Sequence, residues 1–352
     1  MGFYQAMQLS AANLKPLIKN AESKEIKSKY IAALILKSIL CLLFCTIVVI
    51  SFGKVFGEEN NVVGVVTVIS LLNFRFSNLD FKVRQAALTI VGIFGVLSIS
   101  PYIASISNPF LGFIINFISI IGILILTCHN VRLCNHSILV LSYFLLYGYK
   151  VENTEILINR IIGLIFGGIL VASIFYIKQR KIEFKNTFID IINDVDFNTE
   201  RTKWQLKFAF VTTSAIMIGE FLHIPRAMWI GIACMSVFHP DKSQLQIRYK
   251  QRMLYMVLGC LMYMSIYFLI PQQFRGLIGL IGGVMIGFSG TYKWQTVFNA
   301  FGALSAATPI LGVGGAIIFR ILNNVFGALY SKGFDYIINF IDNKEFTNVN
   351  EA

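Results

Sequence analysis

The stretch NRIIGLIFGG at residues 159–168 returns in altered form as FRILNNVFGA at residues 319–328. The two arginines, Arg160 and Arg320, align at an offset of 160 residues, as do a phenylalanine and a glycine six and seven positions later. Both stretches are otherwise mostly apolar, and each ends a series of hydrophobic segments. We interpret each as the last membrane span of one half of a duplicated helical bundle.

The composition excludes an ordinary soluble domain. Hydrophobic residues make up 56% of the chain and charged residues only 14%, whereas soluble domains average about 25% charged residues. The net charge of +12 is typical of cytoplasmic loops that face anionic lipid. Because no soluble basic module is present, we predict membrane lipid, and no nucleic acid, as a partner.

Hydropathy predicts an all-α integral membrane protein with about twelve transmembrane helices. A span needs about 20 apolar residues, or fewer where the bundle shields its ends. The second and fifth spans of each half are short and are expected to be partial or broken helices. The predicted spans are 31–52, 61–74, 85–104, 109–127, 136–149 and 156–177, then 205–222, 227–239, 252–270, 275–290, 295–309 and 312–331.

The two halves align beyond the arginine stretch. The Val-Gly pair at 63–64 matches the Ile-Gly pair at 230–231, and Lys37 matches Lys207. Six spans per half is an even number, so the halves enter the membrane in the same direction, as parallel repeats. The predicted parts are a cytoplasmic N-terminal segment (1–29), the first repeat (30–177), a cytoplasmic linker (178–203), the second repeat (204–334) and a cytoplasmic tail (335–352).

The distribution of charge sets the orientation. With both termini in the cytoplasm, cytoplasmic segments hold 22 of the 30 Lys and Arg residues, external loops hold four and spans hold four. This asymmetry follows the positive-inside rule. We therefore predict a multi-pass protein of the cell (plasma or inner) membrane.

The motifs for catalysis and for bound cofactors are missing from the sequence. It contains no G-x-x-x-x-G-K-[ST] loop for nucleotide phosphates and no nucleophile motif. The cluster of Cys128, His129, Cys134 and His136 matches no standard zinc spacing, and the six cysteines form no disulfide framework. We predict no enzyme activity, no cofactor and no metal.

Four cations lie inside predicted spans, and no acidic residue lies well inside one. They are Lys37, Lys207, Arg160 and Arg320. A charge inside the membrane costs about 3 kcal/mol on insertion scales, so it faces the bundle interior, a water-filled cavity or a counter-ion. An anionic substrate is an obvious external counter-ion. The candidate substrate-binding residues are these four cations together with Asn299 and Asn323.

Structural roles for the same residues stay open. Lys37 and Lys207 lie within about two turns of a cytoplasmic end and could extend their ammonium groups to water. Arg160 and Arg320 lie near external ends, where they could contact lipid headgroups or backbone carbonyls. The asparagines could form interhelical hydrogen bonds. The linker is expected to hold an amphipathic helix that packs against the membrane, a partner or the bundle, with an apolar face made of Phe184, Phe188, Ile191, Ile192 and Val195.

The chain resembles the fusaric acid resistance family, which includes the aromatic acid exporters. In each half a second span leads through a basic loop to a glycine-bearing third span, from Arg75 to Gly92 and from His239 through Arg252 to Gly259. Each half closes with the Arg-x5-Phe-Gly stretch. The resemblance covers about 300 residues.

The segment MWI at 228–230, followed by His-Pro at 239–240, is similar to the family's Tyr-Trp start and Gln-Pro end of this span. The first half lacks both, with NVV at 61–63 and LN at 72–73. Larger family members carry a sizeable cytoplasmic domain between the halves, where this chain has about 26 residues.

This resemblance implies a transporter that exports small, often aromatic, organic anions. Plant malate channels look like distant relatives, so an organic-anion channel is an alternative. A non-transporting membrane scaffold or accessory subunit is another. A homo-oligomer is compatible with all three.

Overall fold

The computed structural model describes residues 1–350, with the side chains of all of these except residues 242, 339 and 341–350. The predicted cytoplasmic tail therefore lies partly outside the described residues. Within the described chain the regular structure is entirely helical. The chain divides into two compact units, Met1–Ile47 with Gln246–Val325 and Val48–Leu245 with Phe326–Ala352, here called unit 1 and unit 2.

Unit 1 combines the N-terminal segment with much of the C-terminal half. Its N-terminal helices are α1 (Phe3–Gln8), α2 (Ala11–Lys19) and the first part of α3 (Lys24–Phe56). It continues with most of α12 (Lys242–Leu269), a 3-10 turn at Gln272–Leu277, α13 (Ile278–Phe288) and the first part of α14 (Tyr292–Asn350). Gly312, with φ 69°, interrupts α14, where the sequence predicts a break between two spans.

Unit 2 contains the remaining helices. They are α4 (Asn61–Phe74), α5 (Val83–Ile106), α6 (Pro109–Thr127), α7 (His136–Gly148), α8 (Thr154–Gln179), α9 (Phe188–Asn193), α10 (Glu200–Phe221) and α11 (Met228–Val237). The end of α3 and the last part of α14 complete the unit.

Six helices of the described chain are long and apolar enough to cross a membrane. All twelve predicted spans overlap helices, but not every one of these helices is a candidate span. Helices α7 and α11, for example, are apolar but have only 13 and 10 residues, too few for a full span. The chain is thus an all-helical, multi-pass membrane protein with six candidate spans. The six are Lys24–Phe56, Val83–Ile106, Pro109–Thr127, Thr154–Gln179, Ser243–Leu269 and Tyr292–Ile338.

Side-chain caps start several of these helices. Asn108 accepts the Leu111 N–H at 2.9 Å, and the following proline stands at the first helical position, where its missing N–H costs no hydrogen bond. Asn153 accepts the Ile156 N–H at 2.9 Å in the same way. Polar residues between apolar runs therefore define where α6 and α8 begin.

The N-terminal helices pack on the start of α3 within unit 1. Ala6, Ala11 and Leu14 are buried in one cluster with Ala33 and Leu34 of α3. The small side chains of the three alanines allow close approach of the helices, and the two leucines fill the space between them. The segment predicted as a polar cytoplasmic N-terminus is therefore partly packed against the bundle.

Helix α7 lies at the centre of unit 2, in contact with α4, α5, α6 and α11. Its large side chains Tyr143 and Phe144 are fully buried. The equivalent glycines of the two repeated stretches, Gly167 and Gly327, each permit a close contact between helices. A Cβ atom on Gly167 would collide with Thr67 of α4, and one on Gly327 would lie 2.5 Å from the backbone oxygen of Ile230 in α11.

Candidate functional site

A cavity of about 530 Å³ opens in unit 2, where α10 begins and α11 ends. Val131, beyond the end of α6, and Asp335, in the last part of α14, also line it. The segments that meet here are predicted to be cytoplasmic or to lie at the cytoplasmic ends of spans. The charged, polar and large aromatic lining residues are Glu200, Arg201, Lys203, Trp204, Lys207, Phe238, His239 and Asp335.

The first two turns of α10 supply one wall. Thr199 caps this helix by accepting the Thr202 N–H at 3.3 Å. Residues 200, 203, 204 and 207 share one helical face, and all four line the cavity. Gln205 points away and donates hydrogen bonds to the carbonyls of Leu124 and Cys128, both at 3.2 Å. This anchor fixes the charged face of α10 toward the cavity.

Aromatic rings form a second wall. Trp204 is only 8% exposed, and its ring lies 5.1 Å from that of His136 and 5.3 Å from that of Phe208. Phe238 lies 6.4 Å from Phe208. Within the described part of the chain the buried indole N–H of Trp204 has no hydrogen-bond partner. A buried donor without an acceptor costs free energy, and a ligand oxygen could satisfy it.

The charged side chains that line the cavity form different ion pairs and hydrogen bonds. Arg201 pairs with Asp194 at 2.9 Å, and Lys203 lies 3.7 Å from Glu200. His239 accepts the Asp241 N–H on Nδ1 at 3.1 Å, so neutral His239 carries its proton on Nε2. Lys207 adds an ammonium group to the same lining. The cavity therefore offers cationic groups and hydrogen-bond donors beside aromatic rings, and the carboxylates of Glu200 and Asp335 share the lining.

Arg160 lies at the other end of α7. Its Nε donates to Asn60 Oδ1 at 3.0 Å and its Nη1 to the Tyr149 carbonyl at 2.5 Å. Asn60 in turn donates to the carbonyl of Ile156 at 3.1 Å. Arg160 is 4% exposed. It faces the interior, as the sequence predicts, and it binds protein groups at the end of a helix, where a cation is favoured.

The length of α7 separates this arginine from the cavity. His136, which contacts Trp204, begins the helix, and Tyr149, which binds Arg160, follows its end. Thirteen residues of α-helix span about 20 Å. Lys207 and Arg160, both predicted to bind substrate, are therefore not brought together.

Three other predicted site residues lie on helices of unit 1. Arg320 is 4% exposed and Asn323 is 1% exposed, both on α14. Asn299 lies on an exposed face of the same helix. Their binding of a substrate stays a prediction.

Lys37 is the fourth predicted site residue in unit 1, and its side chain contacts the N-terminal segment. Its Nζ donates to the carbonyl of Leu9, which caps the end of α1. A cation at this position satisfies a terminal carbonyl and favours the negative end of the helix. The contact gives Lys37 a partner within the protein, and its binding of a substrate stays a prediction.

Two buried polar clusters were not anticipated as clusters from the sequence. Arg252, predicted to lie in a cytoplasmic loop, is 4% exposed within α12. It donates to Asn324 Oδ1 from Nε at 3.0 Å and from Nη2 at 2.7 Å. The buried asparagine directly after Asn323 was the available signal, but its partner lies 72 residues away.

The second cluster surrounds Asn135, which is fully buried. Its Oδ1 accepts from Asn73 Nδ2 at 3.1 Å and from Ser77 Oγ at 2.6 Å. Its Nδ2 donates to the carbonyls of Asn78 and Thr127, both at 2.9 Å. One amide thus joins the ends of α4 and α6 to the start of α7.

Comparison with known families identifies the C-terminal part of the chain. Residues 214–331 match the family model described as Fusaric acid resistance protein-like. No curated protein and no solved structure matched the chain. The matched region includes α11, α12 and α13, and it contains Phe238, His239 and Arg320. That family is generally associated with efflux transport. The chain therefore carries a fusaric acid resistance protein-like domain over residues 214–331.

Proposed function

We propose that this protein is a membrane transporter that exports small aromatic organic anions, which it loads from the cytoplasm at the cavity around Lys207. The observation that carries the proposal is the joint presence of a lysine, a buried indole donor and aromatic rings around one cavity. The family match supports efflux as the activity. The substrate class is our inference from the lining.

The cavity has the size and chemistry for such a substrate. Ligand pockets of small molecules measure about 300–1,000 Å³, and this one measures about 530 Å³. The rings of Trp204 and Phe238 would pack against an aromatic ring. The ammonium group of Lys207 and the indole N–H would bind the carboxylate. These contacts would offset part of the cost of removing the anion from water.

We further propose that twelve spans cross the membrane as two parallel six-span repeats, with both termini in the cytoplasm. In unit 2 the polar contacts separate into two groups. Asn135 joins segments predicted to be cytoplasmic, and Arg160 joins segments predicted to be external. Short helices such as α7 connect the two groups, which supports their crossing the membrane despite their length.

The close glycine contacts also favour a repeat. Gly167, on the closing span of the first half, packs on α4, the second span of that half. Gly327, on the closing span of the second half, packs on α11, the second span of its half. The same pair of elements thus meets at the same glycine in each half.

Export of an anion can proceed without a coupling ion. One negative charge that leaves a cell gains about 2.3 kcal/mol per 100 mV of inside-negative potential. The cavity needs only to bind the anion and release it outside. Saturation of flux with substrate would distinguish this transporter from the organic-anion channel.

The test is efflux from preloaded vesicles with a panel of labelled aromatic acids, aliphatic acids and neutral aromatic analogues. Aromatic acids are expected to leave fastest, and Lys207→Gln is expected to slow them about tenfold or more, because a hydrogen bond to a charged group contributes about 1.5–3 kcal/mol. Lys185→Gln, which removes the same charge from an exposed position outside the cavity, is the control. Equal fluxes for acids and neutral analogues would contradict the proposal, and an absence of flux would favour the scaffold.

A further inference from the structure

An apolar groove of about 810 Å³ runs between α5 and α6 on the surface of unit 2. A Cβ atom added to Gly92 or Gly122 would meet nothing within 4 Å, so the described side chains leave the groove open. Its rims are exposed, with Leu88 73% and Ile118 62% accessible. The lining includes Leu88, Gly92, Val96, Ile118, Gly122 and Leu126.

A basic pocket of about 530 Å³ adjoins the predicted cytoplasmic end of this groove. It is lined by Lys82 and Arg84 before and at the start of α5 and by Arg180 after α8. Gln85 lines both the pocket and the groove. Among the side chains that the structure describes, none of the three cations forms an ion pair, although Glu183 lines the same pocket.

The linker between the predicted repeats covers the junction of pocket and groove. The N–H of Phe188, the first residue of α9, donates to Gln85 Oε1 at 2.8 Å. Phe188 and Ile189 line the end of the groove. Ile189 is 65% exposed and Ile192 is 43% exposed, an arrangement that favours the water–hydrocarbon boundary of a bilayer.

The carboxylate of one acid near the cations, Asp190, accepts hydrogen bonds at the start of its own helix. Asp190 of α9 accepts the N–H and the hydroxyl of Thr187 at 2.7 and 2.8 Å. These hydrogen bonds, which also cap the helix, hold the pKa of Asp190 below its ordinary value. The local balance still favours the cations Lys82, Arg84 and Arg180.

From this juxtaposition we infer a binding site for one anionic phospholipid, with its phosphate at Lys82, Arg84 and Arg180 and an acyl chain in the α5–α6 groove. Basic pockets between helices on the cytoplasmic side suit anionic headgroups. The groove extends along α5 from Gln85 to Ser100, which is about 22 Å of helix. That length accommodates the acyl chain of one leaflet, since the hydrocarbon core is about 30 Å thick.

The test is native mass spectrometry of the full chain after exposure to equal amounts of phosphatidylglycerol and phosphatidylcholine with the same acyl chains. The wild type is expected to retain phosphatidylglycerol preferentially. Arg180→Gln should reduce that preference about fivefold. Each cation near an anionic lipid surface contributes about 1 kcal/mol, which corresponds to about a fivefold change in affinity. The triple variant of Lys82, Arg84 and Arg180 to Gln should abolish it.

The matched charge control replaces Lys19, Lys24 and Lys27 with Gln in the N-terminal segment. It should keep the preference, because the net charge changes equally but the pocket is intact. An equal loss in this control would show diffuse attraction and overturn the site. No preference in the wild type would also overturn it.

The groove is tested separately with Gly92→Leu, which fills it, and with Gly95→Leu as control. Gly95 lies on the same helix, outside the groove lining, and an added Cβ there also meets nothing within 4 Å. Only Gly92→Leu should lower retention of the lipid. Gly122→Leu on the facing helix provides the same test if Gly92→Leu does not fold.

Two further results would overturn the inference. Soluble glycerol 1-phosphate should leave the bound lipid in place, and its complete displacement of the lipid would show that the groove contributes nothing. Formation of a dimer that Gly92→Leu dissociates would assign the groove to a second copy of the chain.

Discussion

Replacing Arg160 with glutamine should destabilise the fold and leave the cavity intact. Two hydrogen bonds from a charged donor are lost, to Asn60 Oδ1 at 3.0 Å and to the Tyr149 carbonyl at 2.5 Å. Such bonds contribute about 1.5–3 kcal/mol each. Part of this loss is recovered, because the uncharged glutamine is cheaper to bury than a guanidinium. We expect a net loss of roughly 2–4 kcal/mol in the free energy of unfolding.

The measurement is denaturant unfolding of the purified protein in detergent, compared with Lys150→Gln. Lys150 lies one residue beyond Tyr149 and is exposed, so its replacement removes the same charge without a buried partner. It should change the free energy of unfolding by less than about 0.5 kcal/mol. The affinity of an aromatic acid should be unchanged in both variants, because the cavity lies about 20 Å away along α7.

One outcome would contradict a purely structural role for Arg160. If Arg160→Gln unfolds like the wild type but binds an aromatic acid at least tenfold more weakly, the arginine contacts the substrate. The sequence-based assignment of Arg160 to substrate binding would then be correct, and the cavity around Lys207 would not be the principal site.

Two further predictions concern the cavity and the topology. Trp204→Phe should weaken binding of an aromatic acid about threefold to tenfold, because the ring is kept while one hydrogen-bond donor is lost; isothermal titration measures this, and unchanged binding would remove the indole N–H from the site. In intact cells an impermeant thiol reagent should label single cysteines at Glu58, Glu152 and Gln272 but not at Lys181; labelling at Lys181 would contradict cytoplasmic placement of the linker.

The sequence predicted the helical segments well where the ends carry local signals. Helix α6 spans the predicted residues 109–127, because Asn108 caps it and Pro109 suits its first position. The linker was harder to predict. The helix there has only six residues and begins at a capping box formed by Thr187 and Asp190. Ile191 is buried whereas Ile192 is 43% exposed, so the two do not share one buried face.

The partners of the buried charges could not be predicted. Hydropathy identified Lys37 and Arg160 as costly charges inside spans. Their acceptors are a carbonyl 28 residues away, at Leu9, and groups up to 100 residues away, such as Asn60. No spacing rule along one helix connects such groups, since only tertiary packing brings them together.

The same limit applies to the cavity. The sequence singled out Lys207 by its position in a span, but it gave no reason to place Phe238 and His239 beside Trp204. These residues come from different helices, whose ends meet only in the folded unit. An α10 face with Glu200, Lys203 and Lys207 at helical spacing was the local signal that could have indicated a polar wall.

We propose that the cavity around Lys207 binds aromatic carboxylates. The measurement is isothermal titration of the purified protein with benzoate and with benzyl alcohol, in the wild type and in Lys207→Gln. We expect saturable binding of benzoate at one site, little binding of the alcohol, and a loss of affinity for benzoate of about tenfold or more in Lys207→Gln. Equal affinity of the wild type and Lys207→Gln for benzoate would contradict it.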